Sequence, residues 1–223
     1  MSLVSGNARD SSGSSIFAIG CHVLRLPSLI QHGKRRIKKL DALAFDPSVE
    51  LWALDEVHFQ QHGCRCRMWI APEDKDPVVR HEPTRKSIGY FGAVCLRDGR
   101  LLTKREDESF NAQTFWDFLK ELETVSRAQG RRIMIISDNA KYHHALLHKE
   151  WRQEHAAHFA LDFLPPYSPQ LNPIERVWKL LRRLCLHNEH FSKLTEVVAA
   201  VEPQLDAWSH PNDALRKLCT TFG

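Results

Sequence analysis

Three carboxylates in this 223-residue chain stand where side chains can do chemistry: Asp55, Asp138 and Glu175. Asp55 lies within Glu50-Leu51-Trp52-Ala53-Leu54-Asp55-Glu56-Val57-His58-Phe59, a mostly apolar strand interrupted by two adjacent acids. Such acids are costly to bury unless paired or bound to a cation. Successive strand residues face opposite ways, so only one of the two can face a given site. Asp55 is taken as that residue, and Glu56 then needs a partner of its own on the other face. Asp138 ends Arg132-Ile133-Met134-Ile135-Ile136-Ser137, an apolar run of the kind buried on both faces of a parallel or mixed sheet. Carboxyl ends of strands in open α/β sheets are where ligands bind. Asp138-Asn139 also suits an ordinary turn or cap.

Glu175 closes the proline-punctuated segment Leu164-Pro165-Pro166-Tyr167-Ser168-Pro169-Gln170-Leu171-Asn172-Pro173-Ile174-Glu175. Asn172 reads as an N-cap and Pro173 as a first helical residue, where a missing N–H costs nothing. Behind them Ile174, Val177, Trp178, Leu181, Leu184 and Cys185 recur at helical spacing. Glu175 falls beside that stripe, in line with Lys179 and Arg182. A carboxylate and two cations on one helix edge suit a phosphate backbone. Asn172-x-x-Glu175 is equally close to a capping box, in which the glutamate bonds back to the cap amide. Both readings stand.

In this order, the Asp55-Glu56-Val57-His58-Phe59 strand, the Asp138-Asn139-Ala140 strand end and the Pro-Pro-Tyr-Ser-Pro-x-Leu-Asn-Pro-Ile-Glu segment resemble the catalytic core of insertion sequence 630 family transposases, within the mariner-type superfamily. The likeness runs from about residue 41 to the C-terminus. It implies an α/β, ribonuclease H-like (integrase-type) mixed sheet flanked by helices. It also implies metal-dependent phosphodiester cleavage and strand transfer at transposon ends, with Asp55, Asp138 and Glu175 as both catalytic residues and metal ligands. The 36 residues between the last two slightly exceed the family's usual spacing. Two magnesium or manganese ions about 4 Å apart would activate the attacking water or DNA 3′-hydroxyl and stabilise the leaving oxygen. All-oxygen ligands suit these hard cations. No covalent enzyme intermediate is expected. A histidine soon after the second Asp is common in the family. His143 and His144 fall there, to position DNA or to cap a helix.

The surrounding elements must bring these segments together. Strands are expected near 67–71, 87–97 and 101–106, the last two joined at Asp98-Gly99, a hairpin signal. Phe115, Phe118, Leu119, Leu122 and Val125 form a helical stripe that Gly130 stops. After the Asp138 strand, a helix is expected over about Lys141 to Glu154, then a short strand near His158 to Leu164. Leu194, Val197, Val198 and Val201 mark a further amphipathic helix, broken near Pro203, with Leu205 and Trp208 beyond the break. The organisation read from this is a basic N-terminal segment (1–40), a catalytic domain (41–190) and a helical tail (191–223). The tail is expected to pack on the domain or on a second subunit.

Composition sets wider bounds. Thirty-one Lys+Arg against 27 Asp+Glu give a mild basic excess, compatible with DNA without requiring it. Two clusters are candidate phosphate contacts: Lys34, Arg35, Arg36, Lys38 and Lys39, and Arg176, Lys179, Arg182 and Arg183 on the Glu175 helix. For each, a solvated face is as good a reading. Six cysteines without framework spacing predict reduced thiols in a cytoplasmic protein with no membrane span. Cys64-x-Cys66 near His58 and His62 is poor zinc spacing, and no zinc site is expected. Thirty-odd residues before the basic run leave no room for the two helix-turn-helix modules that family members normally carry. The expectation is therefore a catalytic half acting as a homodimer or beside a separate DNA-binding module. Two alternatives remain: a truncated, non-catalytic DNA-binding or dimerisation partner of a full-length transposase, and a general ribonuclease H-like nuclease.

Overall fold

The apolar run around Asp55 forms a 12-residue strand, β1 (Val49–Gln60), at the centre of a five-stranded sheet. In the computed structural model, the described residues are 42–43, 46–67, 71, 78, 80, 82–128, 130–165 and 168–220. The expected strand at 67–71 and the basic run Lys34 to Lys39 lie largely or wholly outside them. β1 pairs antiparallel with β2 (Ser87–Cys95), which turns at Asp98-Gly99 into antiparallel β3 (Leu101–Glu106). On its other side β1 pairs parallel with β4 (Arg132–Ser137), and β4 with β5 (Phe159–Phe163). The order is β3-β2-β1-β4-β5. The helices are α1 (Ala112–Arg127), α2 (Lys149–Glu154), α3 (Ile174–Cys185), α4 (Leu194–Ala207) and α5 (Asp213–Thr220).

Period-two alternation along β1 sorts its side chains between two cores. Trp52 and Leu54 join Phe91, Ala93 and Cys95 of β2 under Phe115, Phe118, Leu119 and Leu122 of α1. α1 starts cleanly because Asn111 caps it and Thr114 returns a hydrogen bond to the cap backbone. Phe59 lies on the opposite face, its ring 6.4 Å from that of Trp178 on α3. Ile174, Val177, Trp178 and Leu181 of the expected stripe are buried, whereas Leu184, past the sheet, is 56% exposed.

Gly92 sets how closely α3 approaches. It pairs directly with Asp55, and a Cβ there would sit 2.3 Å from the Trp178 ring. Gly92→Ala should therefore displace the helix that carries Glu175. Overpacking of this kind costs about 1–3 kcal/mol. Urea unfolding is expected to show a destabilisation of that order.

Two helices differ from their sequence reading. The segment Lys141–Glu154 is two 3-10 turns, Lys141–His144 and Leu146–His148, before α2. Extended backbone at Ala145 (ψ 142°) interrupts it, after an extended Ala140 (ψ 145°) just ahead of it, and His143 and His148 turn inward. Their rings lie 4.2 and 5.5 Å from Phe115, so burial against α1 outweighs continuous helix. Conversely, α4 runs unbroken through Pro203. Pro203 is exposed while Val197, Val201 and Leu205 are buried at i, i+4, i+8, so one face stays packed despite the lost hydrogen bond. α5 falls within the expected helical tail, although its own residues were not singled out in the sequence. Gly99 (φ +75°) admits its approach, because a Cβ there would lie 2.0 Å from the Asn212 carbonyl oxygen.

Candidate active site

Asp55 sits five residues before the end of β1, on the face that α3 covers, as its pairing with Gly92 requires. Asp138 immediately follows β4, the parallel neighbour of β1. Glu175 is in the first turn of α3. Burial and then the negative charges of Glu56, Glu175 and Asp138 push the Asp55 carboxyl up to about 8. Carboxylates from two distant segments thus lie close enough to oppose the ionisation of Asp55. A hard cation among them would relieve that repulsion, and the donor set is all oxygen, so the residues fit magnesium or manganese.

Asn172 joins the last segment to the first, and does so differently from the expected cap. α3 begins at Ile174 with Pro173 in the cap position and no side-chain capping bond. Asn172 is instead buried, and its Nδ2 donates at 2.9 Å to the carbonyl of Leu54, the residue before Asp55. Because its amide goes into the fold, no capping box forms, and Glu175 keeps its carboxylate for other use. Asn172→Ala would leave the Leu54 carbonyl without this donor. A buried group left unsatisfied costs about 1–3 kcal/mol. A loss of that size in chemical unfolding is expected, together with weaker metal binding as the segment carrying Glu175 loosens.

The Asp55-Glu56 doublet divides between two faces, and Glu56 finds its partner in His143. His143 Nε2 lies 2.8 Å from Glu56 Oε1, and Nδ1 lies 3.0 Å from Asp138 Oδ1. The same Nδ1 is 3.3 Å from the Ser137 hydroxyl and from the Asp138 carbonyl. Burial alone would lower the affinity of this ring for a proton. The bonds to Asp138 and Glu56 outweigh that and hold it at about 9. The His143 bond in turn lowers the Asp138 carboxyl below its ordinary value. Burial and then the charge of Glu56 push the Tyr142 phenol well above its ordinary value. His144 is exposed and bonds the Asn139 side chain. Sequence reasoning left the role of His143 between positioning DNA and capping a helix; its ring is buried and pairs with Glu56 and Asp138. The one signal was the acid doublet itself, which demanded a buried partner for Glu56.

The cations of α3 do not form a uniform surface. Arg176 Nη1 donates to the Leu218 carbonyl, and the Arg182 guanidinium lies over Phe59, 5.7 Å from the ring centre. Lys179 and Arg183 are exposed. His58 packs on Phe110, while Cys64 forms an isolated parallel bridge with His187. A separate Glu123–His155–His158 group ties α1 to the loop before β5, with His158 Nε2 3.0 Å from Glu123 Oε1.

An antiparallel β1-β2-β3 meander followed by parallel β4 and β5, with helices on both faces, is the ribonuclease H-like fold. Two solved structures share it. The Mos1 transposase paired-end complex with left transposon end matches at a TM-score of 0.61 and 14% identity, over 84% of this chain and 55% of that one. The catalytic domain of Mos1 mariner transposase matches at 0.53 and 13%, over 84% of this chain and 82% of that one. The chain therefore spans about half the length of the transposase in the paired-end complex. Residues 50–198 match the DDE superfamily endonuclease family, and the chain belongs to it. An uncharacterized protein of Sinorhizobium fredii (strain NBRC 101917 / NGR234), y4pE/y4sA, is 31% identical over 114 residues, covering 48% of this chain and 75% of that protein.

Proposed function

We propose that this endonuclease domain is a transposase catalytic domain of the insertion sequence 630 type, cleaving and joining DNA at transposon ends. The observation that carries the reading is the burial of Asp55 beside the negative charges of Glu56, Glu175 and Asp138, which together push its carboxyl up to about 8. In this reading the three hold two magnesium or manganese ions, which supply an activated oxygen nucleophile and stabilise the leaving oxygen. Asp55 and Asp138 present carboxylates from adjacent parallel strands, while Glu175 approaches from α3. Lys179 and Arg183, exposed on the same helix, supply contacts to the DNA backbone. Lys34 to Lys39 would add to them. The Mos1 paired-end complex, similar in fold at a TM-score of 0.58 and 14% identity, was determined with Mg. Action as a homodimer, or beside a separate DNA-binding module, belongs to the same proposal. The described residues contain no helix long and apolar enough to cross a membrane.

The test is incubation of the purified chain with a duplex carrying the ends of its own element, with magnesium or manganese. Metal-dependent nicks at the end boundary, followed by joining of the freed 3′ ends to target DNA, are expected. Cleavage of RNA–DNA hybrids or of any duplex without preference would favour a general nuclease. Binding without cleavage would favour a non-catalytic partner.

A further inference from the structure

We propose that His143 is a positioning residue that, braced by Glu56 from the opposite face of the sheet, fixes the Asp138 carboxylate with one oxygen free for a cation. The proposal rests on the reading of Asp138 as a metal ligand.

The geometry points this way at each atom. Both nitrogens that approach the Asp138 carboxylate meet the same oxygen: His143 Nδ1 makes an ion-pair contact at 3.0 Å and the Ala140 backbone N–H donates at 3.2 Å to Oδ1. Oδ2 is left for another partner. The Asp138 side chain is half exposed. His143 by contrast is completely buried, its ring 4.2 Å from Phe115 and 4.5 Å from Tyr142. Its second nitrogen is anchored 2.8 Å from Glu56 Oε1, and the Glu56 side chain is 11% exposed. A buried ring therefore spans from a central strand to a half-exposed carboxylate at a strand end. Outer partners of this kind orient ligating groups, and losing one typically weakens metal affinity by about 10- to 100-fold.

This accounts for the acid doublet of β1. Asp55 faces α3 and the proposed ions, whereas Glu56 points through the other face and reaches Asp138 by way of His143. Both carboxylates then serve one site, one directly and one through a ring 87 residues away in sequence.

Manganese titration of the full chain, followed by electron paramagnetic resonance, tests the proposal. An asparagine amide nitrogen falls near Nδ1 of the histidine it replaces, and a glutamine amide nitrogen near Nε2. His143→Asn can keep the bond to Asp138, while His143→Gln keeps only the bond to Glu56. The expected result is about 10- to 100-fold weaker manganese binding in His143→Gln and a smaller loss in His143→Asn. Glu56→Gln should fall between wild type and His143→Gln. Thermal unfolding of each variant without metal is measured beside it. Equal losses in His143→Asn and His143→Gln, following their melting temperatures, would make the residue purely structural and overturn the proposal. Asp138→Asn separates the two levels of inference. Unchanged manganese binding in Asp138→Asn would overturn the metal-site reading itself. Weak binding there with unaltered binding in both His143 variants would overturn only the positioning role.

Discussion

Glu175→Gln is expected to abolish magnesium-dependent cleavage of DNA and to leave folding almost untouched. The carboxamide keeps the shape of the side chain but not the charge that a hard cation requires. A bound metal ion supplies several kcal/mol of transition-state stabilisation. At 1.36 kcal/mol per factor of ten, losing its hold should cost about a thousandfold or more in rate. Stability responds to two small opposing terms. A carboxylate in the first turn of a helix is worth about 0.3–1 kcal/mol against the helix dipole. Its removal also relieves the repulsion that Glu175 exerts on Asp55. Because α3 has no side-chain cap, there is no capping bond to lose. The urea midpoint should therefore shift by the equivalent of less than about 1 kcal/mol. Retained cleavage in this variant would remove Glu175 from the metal site. A large fall in stability would restore it to a structural role.

The second large effect is in pH. Asp55 in the folded, metal-free chain holds its proton up to about 8, whereas an unfolded chain releases it near the ordinary value of 3.8. Between those limits the native state binds more protons than the unfolded state, so stability falls as pH rises. The slope approaches about 1.4 kcal/mol per pH unit where the difference is one full proton. His143 acts in the same direction over a narrower window. Its stabilisation is complete below 6.5 and is lost as pH rises through about 9. The range from about pH 5 to 6.5 therefore belongs to Asp55 alone of the two. Manganese requires the ionised carboxylate and competes with the proton. The melting temperature gained on adding manganese should consequently grow from pH 5 to pH 8 in the wild type. Asp55→Asn should lose both that gain and the metal-free slope below pH 6.5. A manganese gain independent of pH would mean that Asp55 is ionised throughout.

What could be read from sequence, and what could not, follows the range of the interactions. β1 and β4 were legible because burial on both faces leaves uninterrupted apolar runs around Trp52 to Leu54 and Ile133 to Ile136. α3 was legible because Ile174, Val177, Trp178 and Leu181 repeat at helical spacing. The three carboxylates were found from the placement of acids at strand and helix ends, together with a family likeness. Interactions between remote segments were not legible. Asn172 reads locally as a cap, yet its amide reaches Leu54, 118 residues away. The requirement for glycine at position 92 exists only because Trp178 crosses it. His143 looked like a residue of one long helix, yet it lies between extended Ala140 and Ala145 and turns toward Glu56. Pro203 carried a local rule that a packed face overrode.

In the proposed function, Asp55, Asp138 and Glu175 hold divalent cations between them. Anomalous diffraction at the manganese edge from crystals of the wild-type chain soaked in manganese tests it most directly. Anomalous peaks bonded to Asp138 Oδ2 and to the Asp55 and Glu175 carboxylates are expected, with His143 still on Asp138 Oδ1. Manganese ligated by Glu56 and His143 with Asp55 and Glu175 untouched, or no manganese among the three carboxylates at a concentration that supports cleavage, would contradict it.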